Sequence, residues 1–416
     1  MSRQLTLGDV VVGLEAGKSF QTTDILARDD ELGVLKVSAV TWSAFRPDQA
    51  KAVVGYEPDD RHRVRRDDLL ISRANTRELV GAVVLVERDY PFRLLSDKTL
   101  RLIVDTKLAE KAYLLYALRS KLARKHIEHL ATGTSDSMRN IAQGVITSIP
   151  IALPQIVEQR RIASSLKSQL ESVEEAHHVA VKQVSETVAL RVAIYREAFC
   201  GVVPIAVTSD FECAPTDWHW TKLTDVARIE SGHTPSRSRP DWWGGDISWV
   251  SLTEIRALDG LWVAETKIKT NSAGVANSAA RVLPRGTVCF SRTASVGFVA
   301  IMAKPMATSQ DFANWVCGDA IDPEFLMHAL IRSRTELRAL ATGATHKTIY
   351  MPTLQAFHVC LPDRCTQEQI VARLKAQLGA VEQMRQAATA QLEEITRLPA
   401  RLLARAFDHQ GEQDHD

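Results

Sequence analysis

Two long stretches of the chain, 153–200 and 361–408, carry apolar residues at steps of three and four with charged residues between them. In the first stretch these positions are Ile162, Leu166, Leu170, Val173, Val184 and Val188. In the second they are Ile370, Leu374, Leu378, Val381, Ala388, Leu392, Ile395 and Leu402. This spacing is typical of the apolar seam of a long amphipathic helix. We therefore predict two helices of about 45 residues, each about 65–70 Å long.

The two stretches align without a gap at a constant offset of 208 residues, from Gln159 and Gln367 to Phe199 and Phe407. A helix of this length extends beyond an ordinary domain, so its seam needs a partner of similar length. Two unrelated core helices are the alternative. We predict that the two helices pair with each other as an antiparallel coiled coil.

The segments before the helices also repeat. "LATGTSDSMRN" at 130–140 is echoed by "LATGATHKT" at 340–348, and the segments 65–86 and 284–302 both indicate a strand, a turn at a Ser-Arg pair, and a second strand. We predict an α+β chain with two mixed α/β domains, each followed by a long helix. The predicted ranges are 1–152 for the first domain, 153–200 for its helix, 201–215 for a linker, 216–360 for the second domain, 361–408 for its helix and 409–416 for a tail.

Composition excludes several classes of protein. The 416 residues carry a net charge of +1, with 45% hydrophobic and 24% charged residues, which is ordinary for a soluble domain. The sequence has no apolar run long enough to span a membrane and no signal-peptide pattern at its start. Its six cysteines lack a C-x-x-C pair, which argues against a zinc site or a disulfide framework. We predict a cytoplasmic protein that does not contact a membrane.

Several motifs, in order, point to one family. "PTDWHWTKLTDVARIESGHTPSR" (215–237), "GGDISWVSLTEI" and "IDPEFLMHALIRS" are followed by "ATGATHKTI", and the first copy passes into its helix through "SDSMRNIAQGVITSIPIALPQIVEQRRIASSL". Together they resemble the DNA-specificity subunit of type I restriction–modification systems. The first copy departs from the pattern, since its opening "MSRQLTLGDVVVGLEAGKSF" lacks the Trp-x-Trp element.

The resemblance implies two target recognition domains that read a bipartite double-stranded DNA site, with the paired helices fixing the gap between its halves. It also implies a non-catalytic chain that scaffolds two methyltransferase subunits and the restriction/translocase subunits. No cofactor is expected in this chain; S-adenosylmethionine, ATP and Mg²⁺ are expected in those partners. A specificity scaffold of another phage-defence methylation system is an alternative.

Candidate DNA-binding residues are basic or amide side chains in loops, in the repeated segments and on one predicted helix. They are Arg61, Arg63, Arg65, Arg66, Arg73, Arg119, Lys121, Arg124, Lys125, Arg139, Asn140, Arg237, Arg239, Arg292, His346 and Lys347. Arginine, lysine and asparagine are the side chains that bind phosphates and base edges most often. Solvated loops or helix faces are the alternative for most of them. Arg73 and Arg292 equally suit a structural turn. The tryptophans of the second domain indicate core packing rather than base stacking.

One pattern favours an enzyme instead. Pro240-Asp241 followed by Glu265-Thr266-Lys267 fits a loose nuclease motif in which carboxylates hold a metal beside a lysine. Such a pattern arises often by chance, and these residues lie inside the recognition-domain resemblance. We expect no catalytic residues and no metal site in this chain.

Overall fold

The computed structural model describes residues 3–55, 59–135, 138–207, 211–343 and 346–407. The chain forms two compact units, Met1–Val181 with Ala390–Asp416, and Lys182–Thr389. The predicted tail at 409–416 lies outside the described residues. Among the described helices, none combines the length and the apolar character needed to cross a membrane.

The first unit is built from short strands, three helices and parts of two long helices. Its strands are β1 (Arg3–Thr6), β2 (Val11–Ala16), β3 (Thr22–Leu26), β4 (Gly33–Leu35), β5 (Ala50–Val53), β6 (Arg63–Val64), β7 (Leu69–Ser72), β8 (Ala74–Asn75), β9 (Val83–Leu85), β10 (Tyr90–Leu94), β11 (Thr99–Val104), β12 (Thr132–Ser135), β13 (Met138–Asn140) and β14 (Pro150–Leu153). Its helices are α1 (Lys111–Leu118), α2 (Lys121–Leu130) and α3 (Gln143–Thr147), followed by the long helix α4 (Ile156–Ala198).

The second unit has the same kinds of element. Its strands are β15 (Ile205–Ala206), β16 (His219–Lys222), β17 (Ala227–Ser231), β18 (Trp243–Val250), β19 (Trp262–Val263), β20 (Lys269–Thr270), β21 (Val288–Ser291), β22 (Val299–Met302), β23 (Ala307–Thr308), β24 (Phe312–Cys317) and β25 (His358–Leu361). Its helices are α5 (Leu223–Val226), α6 (Ile255–Leu258), α7 (Ser272–Ala276), α8 (Pro323–Arg332), α9 (Arg334–Ala339) and α10 (Met351–Gln355), followed by the long helix α11 (Arg364–Phe407).

The central sheets of the two units share one strand order. The four strands β2-β11-β7-β9 of the first unit match β17-β24-β21-β22 of the second, and all these neighbours pair antiparallel. The predicted strand–turn–strand segments are β7–β9 and β21–β22. In both, the residues before the Ser-Arg pair are fully buried, because these strands lie inside the sheet with both faces covered. The predicted α+β class is confirmed.

The long helices pair antiparallel within each unit. In the first unit, Leu166 near the start of α4 shares a core with Phe407 at the end of α11. In the second, Ile194 near the end of α4 shares a core with Ile370 and Leu374 near the start of α11. An apolar stripe on one helix is thus buried against the stripe of the other, as predicted.

The seam of α4 differs from the predicted one in its second half. Val188 is 58% exposed, whereas Thr187 is 5% and Ala180 1% exposed. Steps of seven residues lead from buried Leu166 through half-buried Val173 to buried Ala180, Thr187 and Ile194, so the heptad spacing decides which side chain faces the partner helix. The prediction for Val188 was wrong because the hydrophobic residue stands one position off this repeat.

A buried glutamine connects each long helix to its own unit. The Gln159 side chain is fully buried; its Oε1 accepts from the Glu110 amide at 2.8 Å, and its Nε2 donates to the carbonyls of Leu108 at 3.0 Å and Pro154 at 2.8 Å. Gln367 repeats the arrangement with the Asp322 amide at 2.8 Å and the carbonyls of Ala320 and Pro362 at 3.0 and 2.9 Å. These two residues occupy equivalent positions in the repeat. Their burial explains why both copies carry glutamine there.

We expect the substitution Gln367→Leu to lower the free energy of unfolding by about 1–3 kcal/mol, because it leaves a buried backbone amide and two carbonyls without their partner. Urea unfolding followed by circular dichroism measures the change. Gln369→Leu, two residues along the same helix and exposed, is the matched control and should change stability by less than about 0.5 kcal/mol. Equal effects for the two variants would contradict the stabilising role of the Gln367 hydrogen bonds.

Candidate nucleic-acid interface

In both units the Ser-Arg corner packs against the second repeated segment. The Arg73 carbonyl accepts from the Ile141 amide at 2.9 Å, and the Arg292 carbonyl accepts from the Ile349 amide at 2.8 Å. These backbone contacts bring together two repeated motifs that lie far apart in the sequence. We call this arrangement the corner site; in the first unit it comprises residues 72–75 and 138–141, and in the second residues 291–294 and 346–349.

The corner site of the first unit gathers three of the predicted residues. β13 pairs with β8, so Arg139 lies opposite Asn75 and Asn140 opposite Ala74. Asn140 is exposed, and Arg73 and Arg139 are half-buried. Within the described part of the chain, the Arg73 side chain has no hydrogen-bond or ion-pair partner. Its guanidinium is therefore available to a ligand.

The corner site of the second unit brings together three more of the predicted residues, Arg292, His346 and Lys347. The Ala294 amide donates to the Lys347 carbonyl at 2.8 Å, and Thr293 bridges to Thr348. His346 and Lys347 are exposed. The Arg292 guanidinium instead donates to the carbonyls of Gln310 at 2.9 Å and Ile349 at 3.5 Å. Arg292 thus supports the turn, whereas Arg73 does not.

The arginines of "RHRVRR" are flanked by aspartates that neutralise them. Arg61 donates from Nε and Nη2 to the same carboxylate oxygen of Asp59. Arg63 and Arg65 pair with Asp60, and Arg66 lies 4.0 Å from Asp67. Direct hydrogen bonding from Arg61 lowers the pKa of Asp59 to about 2. The segment is therefore less positive than its arginine count indicates.

Buried Arg101, which the sequence reasoning missed, holds the backbone of this segment. Its guanidinium donates to the carbonyls of Arg61 and Arg63 and pairs with Asp68 at 2.8 Å and Glu15 at 2.9 Å. Because a guanidinium carries five donors in a fixed plane, one side chain can satisfy all four groups. No local sequence signal marks Arg101, since it lies inside a strand among apolar residues.

The basic residues of 119–130 divide between structure and surface. Arg119 donates to the Val83 carbonyl at 3.0 Å, and burial lowers its pKa. Arg124 donates to the Val80 carbonyl, pairs with Glu128 at 2.7 Å and lies over the Trp42 ring. Lys121 and Lys125 on α2 are exposed and, in the described residues, have no side-chain partner. Only these two lysines are free for a ligand.

A rigid loop presents the two predicted arginines of "TPSRSRPDWW". Arg237 is exposed and lies 4.9 Å from the ring centroid of Trp243, and the Trp243 indole donates to the Ser236 carbonyl at 3.2 Å. Arg239 is bidentate to Asp241 and lies over Trp242. The loop therefore offers Arg237 as its unpaired cation.

The tryptophans agree only in part with the predicted core role. Trp249 is 2% exposed and packs in the core as expected, but Trp262 is 39% exposed and donates to Glu324 at 2.6 Å. For Trp262 the core prediction was wrong, because its strand β19 lies at the edge of the sheet.

The residues of the loose nuclease pattern are held by cations. Glu265 pairs with Lys269 at 2.8 Å and with Lys304, and these hydrogen bonds lower its pKa to about 2. Asp241 is occupied by Arg239. In the described ranges, histidine, cysteine and carboxylate side chains form no group of three or more that could hold a metal ion.

Comparison with known proteins agrees with the motif order. Residues 215–394 match the sequence model of the type I restriction modification DNA specificity domain. This segment is similar to that DNA specificity domain. The resemblance predicted from the sequence is confirmed.

Two relatives are also type I restriction enzyme specificity subunits. The type I restriction enzyme MjaIX specificity subunit of Methanocaldococcus jannaschii is 27% identical over 169 residues, which is 40% of this chain and 39% of that protein. The HindI specificity subunit of Haemophilus influenzae is 24% identical over 214 residues, 50% of this chain and 44% of that protein. The chain thus matches less than half the length of these two relatives.

A solved structure from work on complex assembly and conformational transition of the type I R-M system shares the fold over nearly the whole chain. It superposes with a TM-score of 0.73 at 19% identity and covers 98% of this chain and 97% of that one. The shared fold therefore includes both units and not only the segment 215–394.

The corner sites give a matched pair of substitutions. Arg292→Ala removes hydrogen bonds to two carbonyls, so we expect it to lower the free energy of unfolding by about 1–3 kcal/mol. Arg73→Ala removes a side chain without such bonds and should change stability by less than about 0.5 kcal/mol. Thermal unfolding of both variants measures this, and equal destabilisation would contradict the different roles.

Proposed function

We propose that this chain is the sequence-reading subunit of a type I restriction–modification complex and that each unit reads one half of a bipartite double-stranded DNA site. The observation that carries the proposal is the repeated corner site. Its backbone contacts are the same in both units, while its polar side chains differ: Arg139 and Asn140 in one, His346 and Lys347 in the other. Within the described residues, the arginine common to both sites, Arg73 or Arg292, binds carbonyls through its guanidinium only in the second unit. One scaffold thus presents two different sets of donors and acceptors.

Different side chains on a common scaffold suit an asymmetric target. In the major groove, arginine and lysine bind guanine and asparagine binds adenine, so the two corner sites would prefer different base pairs. A duplicated chain imitates a twofold dimer, but it can carry two readers that do not match. The exposed cations Lys121, Lys125 and Arg237 would contact phosphates beside the bases and set the register.

The long helices would fix the gap between the half-sites. Two readers joined by helices of fixed length accept only half-sites at a set separation along the DNA, whose turn is about 34 Å. The continuous register between the two copies, with helices of 43 and 44 residues, supports this role.

We further propose that the chain is non-catalytic and acts in the cytoplasm, with chemistry supplied by partners. Two methyltransferase subunits using S-adenosylmethionine, and restriction/translocase subunits using ATP and Mg²⁺, would assemble on it. The exposed Val188 and Val192, one turn apart on α4, support such docking because they leave apolar surface on a helix face. The paired Asp241 and Glu265 favour this function over a nuclease.

Exchange of residues 216–360 for the aligned region of a relative should change one half of the methylated site and leave the other half intact. The measurement is the sequence around methylated adenines in genomic DNA of cells carrying all subunits, with a deletion of this gene as the control that abolishes the pattern. A simultaneous change in both halves of the methylated site would contradict the proposal that each unit reads one half.

Insertion of four residues into each long helix adds about one turn and about 6 Å while keeping the seam nearly in phase. We expect the gap between half-sites to grow by about one or two base pairs, with unchanged half-sites. Inserting two residues rotates the seam by about 200° and should impair folding instead. The same methylation mapping gives the gap; an unchanged gap in a folded, active four-residue variant would show that the helices do not set it.

A further inference from the structure

Three arginines of the second unit surround one phenylalanine next to the corner site. The guanidinium carbons of Arg256, Arg334 and Arg338 lie 5.7, 5.3 and 5.3 Å from the centroid of the Phe298 ring. They come from α6 and α9, which are far apart in sequence. Only the fold brings these cations together.

The cluster carries more positive charge than its acidic neighbour can neutralise. Asp259 binds Arg334 through both oxygens, at 2.7 and 2.8 Å, and also accepts from the Val299 amide at 3.0 Å. Arg256 and Arg338 form no ion pair with a carboxylate in the described parts of the chain. Both are exposed. Burial, followed by the charge of Arg334, lowers the pKa of Arg338.

The two unpaired arginines are held in place by the turn that follows the corner site. Arg338 donates through Nε to the Val296 carbonyl at 2.9 Å, and Arg256 lies 3.4 Å from the Ser295 hydroxyl. On the other side of the same turn, the Ala294 amide donates to the Lys347 carbonyl. The cations therefore adjoin the candidate base-reading residues rather than lying elsewhere on the unit.

The first unit has the same turn but a neutral version of the cluster. Arg124 donates to the Val80 carbonyl as Arg338 does to that of Val296, and Gly81 and Gly297 follow with positive φ angles of 80° and 93°. Arg124, however, is paired with Glu128. The position of Glu128 in α2 is occupied by Arg338 in α9 when the repeats are aligned at "LATG". Of these two turns, only the one in the second unit therefore carries an arginine charge that no carboxylate of the described residues neutralises.

We propose that Arg256 and Arg338, positioned by Phe298 and by the Arg334–Asp259 pair, form a clamp for the DNA backbone phosphates that flank the half-site read by the second unit. The proposal rests on the proposed DNA-reading function. Guanidinium groups bind phosphate oxygens through paired donors, and stacking on a ring pre-orders them for this contact. A phosphate clamp positions the protein without reading sequence.

The test compares the full-length chain with the double variant Arg256→Gln/Arg338→Gln. Fluorescence anisotropy measures binding to a labelled synthetic duplex of arbitrary sequence across a series of NaCl concentrations. Each lost phosphate contact lowers the slope of log K against log salt by about 0.9, so we expect the slope to fall by about 1.8. The double variant Arg256→Lys/Arg338→Lys keeps both charges and should retain most of the slope.

Arg285→Gln is the matched control. Arg285 is also exposed and also lies over an aromatic ring, 5.6 Å from the Trp262 centroid, but it precedes β21, whereas the corner site follows that strand. We expect its effect on the slope to be less than about 0.5, well short of one phosphate contact. An equal fall of the slope in the Arg285 variant would show a general effect of net charge and would overturn the clamp.

The remaining outcomes distinguish failure of the phosphate clamp from failure of the proposed DNA-reading function. Salt-dependent binding by the wild type with an unchanged slope in the Gln double variant overturns the clamp and leaves the reading function standing. Absence of wild-type binding even at low salt overturns both. A variant that binds DNA normally but loses thermal stabilisation by inorganic phosphate would show a free-phosphate site instead, and would likewise overturn the clamp.

Discussion

Each globular unit depends on one buried glutamine for its connection to a long helix. Gln159 and Gln367 each accept one backbone amide and donate to two carbonyls, joining the loop before α1 or α8 to the first turn of α4 or α11. A primary amide supplies an acceptor and two donors in one plane, which an apolar or charged side chain of this size cannot do. Within each unit, this contact fixes the start of the long helix to the globular part.

The corner sites are held by backbone hydrogen bonds rather than by the side chains they present. The contacts Arg73–Ile141 and Arg292–Ile349 join carbonyl to amide, so they persist whatever side chains stand at Asn140 or Lys347. The proposed reading surface can therefore change its side chains without losing its fold. This separation of scaffold from chemistry explains how two copies in one chain can keep one topology and differ in polar groups.

The net charge of +1 does not show that the arginines of this chain have different structural roles. Several arginines act inside the fold, where one guanidinium satisfies several carbonyls: Arg93 is 3% exposed and binds the carbonyls of Arg28, Glu31 and Pro47, and Arg101 holds the "RHRVRR" backbone. Others are matched by aspartates at the surface. The charge available to a ligand therefore depends on which cations the fold leaves without such partners, so composition alone is a poor guide to the binding surface.

The sequence by itself determined the two long helices, their antiparallel pairing, the Ser-Arg turns and the family resemblance. These follow from local periodicity and from an internal repeat, and both can be read directly from the sequence. The burial of Thr187 in place of Val188 was decided by the packing of one helix against another, since the heptad position overrides side-chain hydrophobicity. The different roles of Arg73 and Arg292, and the meeting of Arg256 with Arg338, were also decided only by tertiary structure. Whether a cation is neutralised depends on residues distant in sequence, and a local sequence pattern does not show which of these residues the fold brings close to it.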